Sequence, residues 1–258
     1  MQRTVYDGLS SPFFAFLIAL VGLSLGSFAS VLVARIPSRE SLLTRSKCPN
    51  CSRQITPTEN IPVISYLVLK GKCPGCNSKI SVMYPALELG MVALYVAPLF
   101  ILHNWTQFLL WVVLATFGLP LLAIDLIHHR LPDVLTASLF GSSALVILGS
   151  SITHHRFDRI APSAIGAISL LAFYLAIMFI SKGGMGMGDV KLSASIGLIS
   201  GYFGMRAVLV SSFGAFTLGS VIGIILILFG KAGRKTAIPF GPFMLVGQLI
   251  SFVVMSRI

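Results

Sequence analysis

The chain has 258 residues, of which 55% are hydrophobic and only 10% charged, with a mean hydropathy of +0.91 and a formal net charge of +11. Soluble domains carry about a quarter charged residues, so this chain could not cover its own surface with polar groups, and a soluble globular enzyme is excluded. In a soluble protein the positive excess would suggest nucleic acid; here it reads as basic residues flanking membrane helices, and no nucleic-acid partner is expected.

The apolar residues come in blocks of helix-spanning length rather than in short alternating runs. Only helices and closed barrels satisfy their backbone groups in lipid, and these blocks are helical in length. The expected class is therefore an all-α polytopic membrane protein of about eight transmembrane helices, at about 12–34, 84–102, 106–124, 132–150, 162–180, 190–204, 206–229 and 240–256. No strongly basic region precedes the first block, which reads as a retained helix and not a cleaved signal. The sixth is short and rich in Gly and Ser. The sizeable polar segment, 35–83, is too short for a large core of its own. This gives a first helix over 1–34, a cysteine-bearing loop domain over 35–83 and a membrane domain over 84–258.

Topology follows from the basic residues. With 35–83 in the cytoplasm, eight alternating spans put fourteen Lys and Arg on the cytoplasmic side and five on the other. That bias places both chain ends outside the cytoplasm. Lipid is the expected surroundings of the spans.

Cys48-Pro-Asn-Cys51 and Cys73-Pro-Gly-Cys76 are two C-x-x-C knuckles with 21 residues between them. Each can present two thiolates from one tight turn, and two such turns complete a tetrahedral zinc site. A cytoplasmic location disfavours stable disulfides. Four thiolates leave no open coordination position, so the expected zinc is structural and braces a small cytoplasmic domain; a thiol redox role is the alternative.

The chain has eight carboxylates, and ionisable groups at a membrane edge usually have a job. Asp7, Asp158 and Glu40 read as solvated surface. Asp125 follows an apolar run at the end of the third span, where the helix dipole disfavours a negative charge, and so has no capping role. Asp133, just after Pro132, reads as a structural cap of the fourth helix. Asp189 follows Gly183, Gly184, Gly186 and Gly188 at the start of the sixth span, where it is either functional or an N-cap. Two carboxylates brought close in a low-dielectric site cannot both ionise; one keeps its proton and the other activates water. Asp125 and Asp189 are thus the candidate catalytic pair of an aspartic peptidase at the cytoplasmic edge. No His-Glu-x-x-His motif is present. The pairs His128-His129 and His154-His155 point in different directions on a helix and make poor joint metal ligands. A transporter with a zinc-binding regulatory loop would need internal repeats and carboxylates deep within spans, and neither is evident.

The order of motifs resembles the type IV prepilin leader peptidases. It runs through Gly26-Ser-Phe-Ala-Ser-Val31, Arg35-Ile-Pro37, Cys48-Pro-Asn-Cys51, Glu59-Asn-Ile-Pro62, Gly71-Lys-Cys73, Ile80-Ser-Val-Met-Tyr-Pro85 to Glu88, Asp125, Leu131-Pro-Asp133, Gly184-Met-Gly-Met-Gly-Asp189-Val-Lys-Leu192 and Pro239-Phe-Gly-Pro-Phe243. The resemblance implies a bifunctional enzyme of the bacterial inner membrane, with its active site toward the cytoplasm. It cleaves the basic leader of type IV prepilins or secretion pseudopilins after a glycine, then N-methylates the new terminal residue with S-adenosylmethionine. It assigns catalysis to Asp125 and Asp189. Zinc and methyl transfer fall to the four-cysteine domain, with Gly71, Glu59 and Glu88 on the methyl-donor side. Ser30 stands where the family commonly has asparagine.

Overall fold

The computed structural model describes residues 11–102, 104–181, 184–230 and 238–256. Lys182 and Gly183, the basic residues Lys231, Arg234 and Lys235, and Arg3, Asp7 and Arg257 at the chain ends, all used in the reading above, lie outside the described residues. The chain divides into two compact units, Met1–Phe100 and Ile101–Ile258.

In the first unit, α1 (Pro12–Arg35) begins with Ser11, whose hydroxyl accepts the Phe14 amide at 3.2 Å, and with Pro12 at the first helical position. It ends in a polar segment carrying a single 3₁₀ turn (Thr58–Asn60) and the short α2 (Ile64–Val68). The chain then enters α3 (Met83–Val96) and the four-residue α4 (Pro98–Ile101). α1 and α3 pack together along their length, and the closest approach runs through Gly26, which sits against Glu88.

The second unit is a bundle of α5 (Trp105–His128), α6 (Asp133–Thr153), α7 (Ile160–Ile180), α8 (Met187–Phe203), α9 (Met205–Leu228) and α10 (Gly241–Met255). Its central member is α8, buried along nearly its whole length from Val190 to Tyr202 and packed on α6, α7, α9 and α10. The α7–α8 crossing is close because it is lined by Gly166, Gly197 and Gly201. A β-carbon at Gly166 would collide with the Gly197 carbonyl oxygen, and one at Gly197 with the Gly166 carbonyl oxygen. Backbone cannot yield as a side-chain tip can. Gly197→Ala is therefore expected to destabilise the protein by about 1–3 kcal/mol, read as a lower unfolding midpoint in detergent. Between α8, α9 and α10 the buried Ser200 hydroxyl donates to Gln248, and Ser251 donates to the Ala207 carbonyl at 3.0 Å. Such interhelical polar contacts hold helices together where lipid supplies no hydrophobic drive.

Each of the eight apolar blocks of the sequence contains a helix. Six segments among the described residues are long and apolar enough to cross a membrane: Pro12–Arg35, Met83–Ile101, Trp105–His128, Asp133–Thr153, Phe157–Ile180 and Met205–Leu228. α8, with 17 residues, and α10, with 15, are shorter. At 1.5 Å per residue they span roughly 25 and 22 Å, against a hydrocarbon core of about 30 Å. Many large side chains left exposed along the long helices are apolar, as at Phe13, Leu145, Ile168 and Phe213, as lipid-facing positions require. The protein is a multi-pass, all-helical membrane protein.

Candidate active site and metal centre

Asp125 lies in the last turn of α5 and Asp189 is the third residue of α8. Asp125 is buried, 4% exposed, at a helix end whose free carbonyls disfavour its charge. The amide of Gly241, the first residue of α10, donates to its Oδ2 at 3.1 Å. Asp189 is half-buried. It does not take the N-cap position; Gly186 does, and no side-chain cap bond forms there.

The two aspartates meet around Leu131. That side chain fills a niche between two glycines: an added β-carbon would lie 2.9 Å from Leu131 Cβ at Gly188, and 3.3 Å from both Leu131 methyl carbons at Gly241. Gly188 immediately precedes Asp189, and Gly241 holds Asp125. The two carboxylates are within electrostatic range of one another, and Asp189 is within range of Tyr174 on α7. Tyr174 packs on Phe216 of α9 at 5.6 Å and on Phe240 at 6.1 Å. Phe216 and Phe240 are themselves 5.0 Å apart. Tyr174, Phe216 and Phe240 thus form an aromatic wall beside Asp189.

Asp133 takes a different place from the one its sequence position suggests. Pro132 occupies the N-cap of α6, so Asp133 is one residue too far along to cap, and no side-chain cap bond forms. Its carboxylate instead accepts from Lys191 Nζ at 2.6 Å, in an ion pair whose members are 72% and 46% exposed. Exposed pairs of this kind contribute about 0–1 kcal/mol. Asp133→Ala is expected to leave peptidase activity close to wild type and to shift the unfolding midpoint little, which separates it from Asp125.

Gly22-Leu-Ser-Leu-Gly26 has the Gly-x-Ser-x-Gly spacing of serine hydrolases. That motif needs a sharp strand-to-helix turn to expose its serine. Ser24 instead lies inside the continuous α1, and its hydroxyl donates to the Leu20 carbonyl at 2.9 Å.

The four cysteines converge. Their sulfur atoms all lie within 4.8 Å of one another. The Cys48–Cys76 and Cys51–Cys73 separations are 3.9 and 4.0 Å. Tetrahedral zinc–thiolate bonds of 2.3 Å imply sulfur–sulfur distances of about 3.8 Å, so the donor set fits zinc. Each knuckle is built the same way. Lys47 pairs with Gln54 and Lys72 with Lys79 in single antiparallel bridges. The first cysteine's amide bonds back to Arg53 or Ser78, and a left-handed residue, Ser52 or Asn77, closes the turn. The Cys51 and Asn50 amides hold the Cys48 thiol below its usual range. Hydrogen bonds from the Ser78 hydroxyl and the Asn50 side chain push the Cys76 thiol down to about 6. The lowered Cys48 and Cys76 favour the thiolate a metal requires, whereas Cys51, despite its bond to the Arg53 backbone, is pushed up to about 11 by burial and the neighbouring thiols. Among the described residues these cysteines alone form a cluster that could hold a metal, and the exposed His128-His129 and His154-His155 pairs take no part in one.

Glu59 sits beside the first knuckle. Its carboxylate binds the Arg53 guanidinium at 2.9 and 3.2 Å and accepts the Thr56 amide at 3.0 Å, which holds it below the usual carboxylate range. Glu88, 8% exposed on α3, accepts the Val63 amide at 2.7 Å. Val63 has φ 61°, an unfavourable backbone for a β-branched residue, so this bond holds a strained turn. Gly71, φ 66°, lies against the Tyr66 hydroxyl. Ser30, buried, donates to the Gly26 carbonyl at 3.3 Å inside α1.

Comparison with known proteins covers both units. Residues 20–102 match the bacterial peptidase A24 N-terminal domain, and residues 108–228 match the type IV leader peptidase family. Curated relatives named "Prepilin leader peptidase/N-methyltransferase" include one from Pseudomonas aeruginosa, 33% identical over 96% of this chain and 93% of the relative. One from Bacillus subtilis is 31% identical over 92% and 93%, and one from Myxococcus xanthus 34% identical over 92% and 70%. No solved structure matches the chain. Near-complete coverage in both directions, with both family domains in one polypeptide, establishes that the chain belongs to the type IV leader peptidase family.

Proposed function

We propose that this protein cleaves the leader peptide of type IV prepilins or secretion pseudopilins at the cytoplasmic membrane face and N-methylates the new N-terminal residue. The observation that carries the reading is the convergence of Asp125 and Asp189 around Leu131, beside an aromatic wall, in a chain whose full-length relatives bear that double name. In the proposed mechanism the ionised aspartate takes a proton from a water molecule, whose oxygen attacks the scissile carbonyl carbon. The protonated aspartate donates to the carbonyl oxygen. Collapse of the tetrahedral intermediate breaks the C–N bond, and the leaving amine takes up a proton.

The four-cysteine loop domain, 35–83, is proposed to hold one structural zinc through Cys48, Cys51, Cys73 and Cys76, and to serve methyl transfer. The methyl donor is S-adenosylmethionine, which supplies the methyl group. Gly71, Glu59 and Glu88 are proposed on that side of the enzyme by resemblance. Their contacts in this fold hold backbone: Glu59 at Thr56 and Glu88 at Val63. Residues 84–258 form the proposed peptidase domain, with 1–34 as the first membrane helix. The charge count supports an inner-membrane orientation with Asp125 and Asp189 toward the cytoplasm, α8 and α10 completing an even number of crossings. The substrate matches that depth, because an apolar pilin helix can lie in lipid with the scissile bond at the membrane edge. The test is to incubate purified protein with synthetic prepilin and methyl-labelled S-adenosylmethionine. Leader release with label on the mature terminus is expected; intact prepilin without label overturns the proposal.

A further inference from the structure

The segment Pro239-Phe-Gly-Pro-Phe243 reaches the site twice, through Phe240 in the aromatic wall and through the Gly241 amide at Asp125. Its Gly241 opens α10, where backbone amides are unpaired and the helix dipole is positive. One of those amides points at Asp125 Oδ2, 3.1 Å away and 116 residues distant in sequence. Asp125 has the opposite disadvantage, a carboxylate at the C-terminal end of α5, buried at 4% exposure. The start of one helix thus offsets the unfavourable end of another. The position also tolerates no side chain, since a β-carbon on residue 241 would stand 2.7 Å from Asp125 Oδ2. The atoms that would give way are tips of side chains, the Asp125 oxygen and the Leu131 methyls, and not backbone. A substitution here would re-aim the carboxylate and leave the bundle standing.

We infer that Gly241 is a positioning residue for the peptidase reaction: its backbone N–H fixes the rotamer of Asp125 and supports its charge, and its missing side chain leaves room for that carboxylate. The inference rests on the proposed role of Asp125.

Two variants test it. Gly241→Ala keeps the N–H and crowds the carboxylate. Replacing Gly241 by glycolic acid through nonsense suppression exchanges the N–H for an ester oxygen and adds no atom. In both, kcat for prepilin cleavage is expected to fall about tenfold or more, as for loss of a hydrogen bond to a charged group. KM is expected to stay within about twofold, because Gly241 faces the aspartate and not the substrate. A general packing defect would not give that split. Adding Leu131→Ala to Gly241→Ala is expected not to restore kcat; restoration would assign the effect to Leu131 packing and overturn the inference. A wild-type kcat in the ester variant overturns it whatever the alanine variant does. Asp125→Asn is run alongside: full activity there would overturn the catalytic reading itself, a separate result from a null effect at Gly241.

Discussion

Asp125→Asn and Asp189→Asn are each expected to reduce prepilin cleavage by roughly 10³-fold or more, while the protein still inserts in the membrane and extracts as a folded species. The size of the effect follows from how an aspartic pair works. General acid and general base are both carboxyl groups, and a primary amide can neither take a proton from water nor deliver one at neutral pH. Because the two act as one unit, the double variant is expected to be little worse than either single one. The measurement is the single-turnover rate with purified enzyme and an excess over substrate. Neither change is expected to cost much stability. Asn at 125 preserves an acceptor oxygen for the Gly241 amide, and Asn at 189 keeps an acceptor oxygen toward the Gly186 amide that the Asp189 carboxylate faces.

The second large effect is expected at the cysteines. Cys48→Ser, Cys73→Ser, or prolonged chelation is expected to remove one zinc per chain, read by metal analysis, and to abolish methyl transfer. The polar segment that carries the knuckles has little regular structure: two single antiparallel bridges, one 3₁₀ turn and the five-residue α2. Cys48 and Cys73 are its buried cysteines. Without metal such a segment cannot offset the entropy of ordering itself. Hydrogen exchange over residues 44–82 is therefore expected to rise by orders of magnitude. Leader cleavage is expected to persist in the same preparations, since the aspartates lie in a unit with its own packed core. A variant that kept its zinc and its protection would contradict the assignment of the four thiolates.

Which parts of this arrangement are written in the sequence depends on how local their causes are. A run of twenty apolar residues must become a helix in lipid, and each of the eight blocks contains one. The two knuckles are equally local, because a C-x-x-C turn places its own ligands. Asp133 shows the limit of such reasoning. The reading one residue away from the truth, a cap, fails because Pro132 supplies the extended N-cap backbone and leaves Asp133 free to pair with Lys191, 58 residues on. Glu59 and Glu88 carry no local mark of the Arg53 and Val63 contacts that engage them. The Gly241–Asp125 bond is the least legible feature of all. It joins two helix ends that only the packed bundle brings together, and its donor is backbone, which no residue pattern announces. The short lengths of α8 and α10 are legible in both cases, because their apolar blocks, 190–204 and 240–256, are themselves shorter than a full membrane span.

The central claim is that one chain removes a prepilin leader with Asp125 and Asp189 and then methylates the new end. Intact-mass spectrometry of a prepilin co-expressed with the wild-type protein or with Asp189→Asn tests it in one spectrum each. With wild type, the pilin is expected to have lost its leader and gained one methyl group at its new terminus; with Asp189→Asn, it is expected to remain full length and unmethylated. Full-length pilin with the wild-type protein, or mature pilin with the variant, would contradict the account.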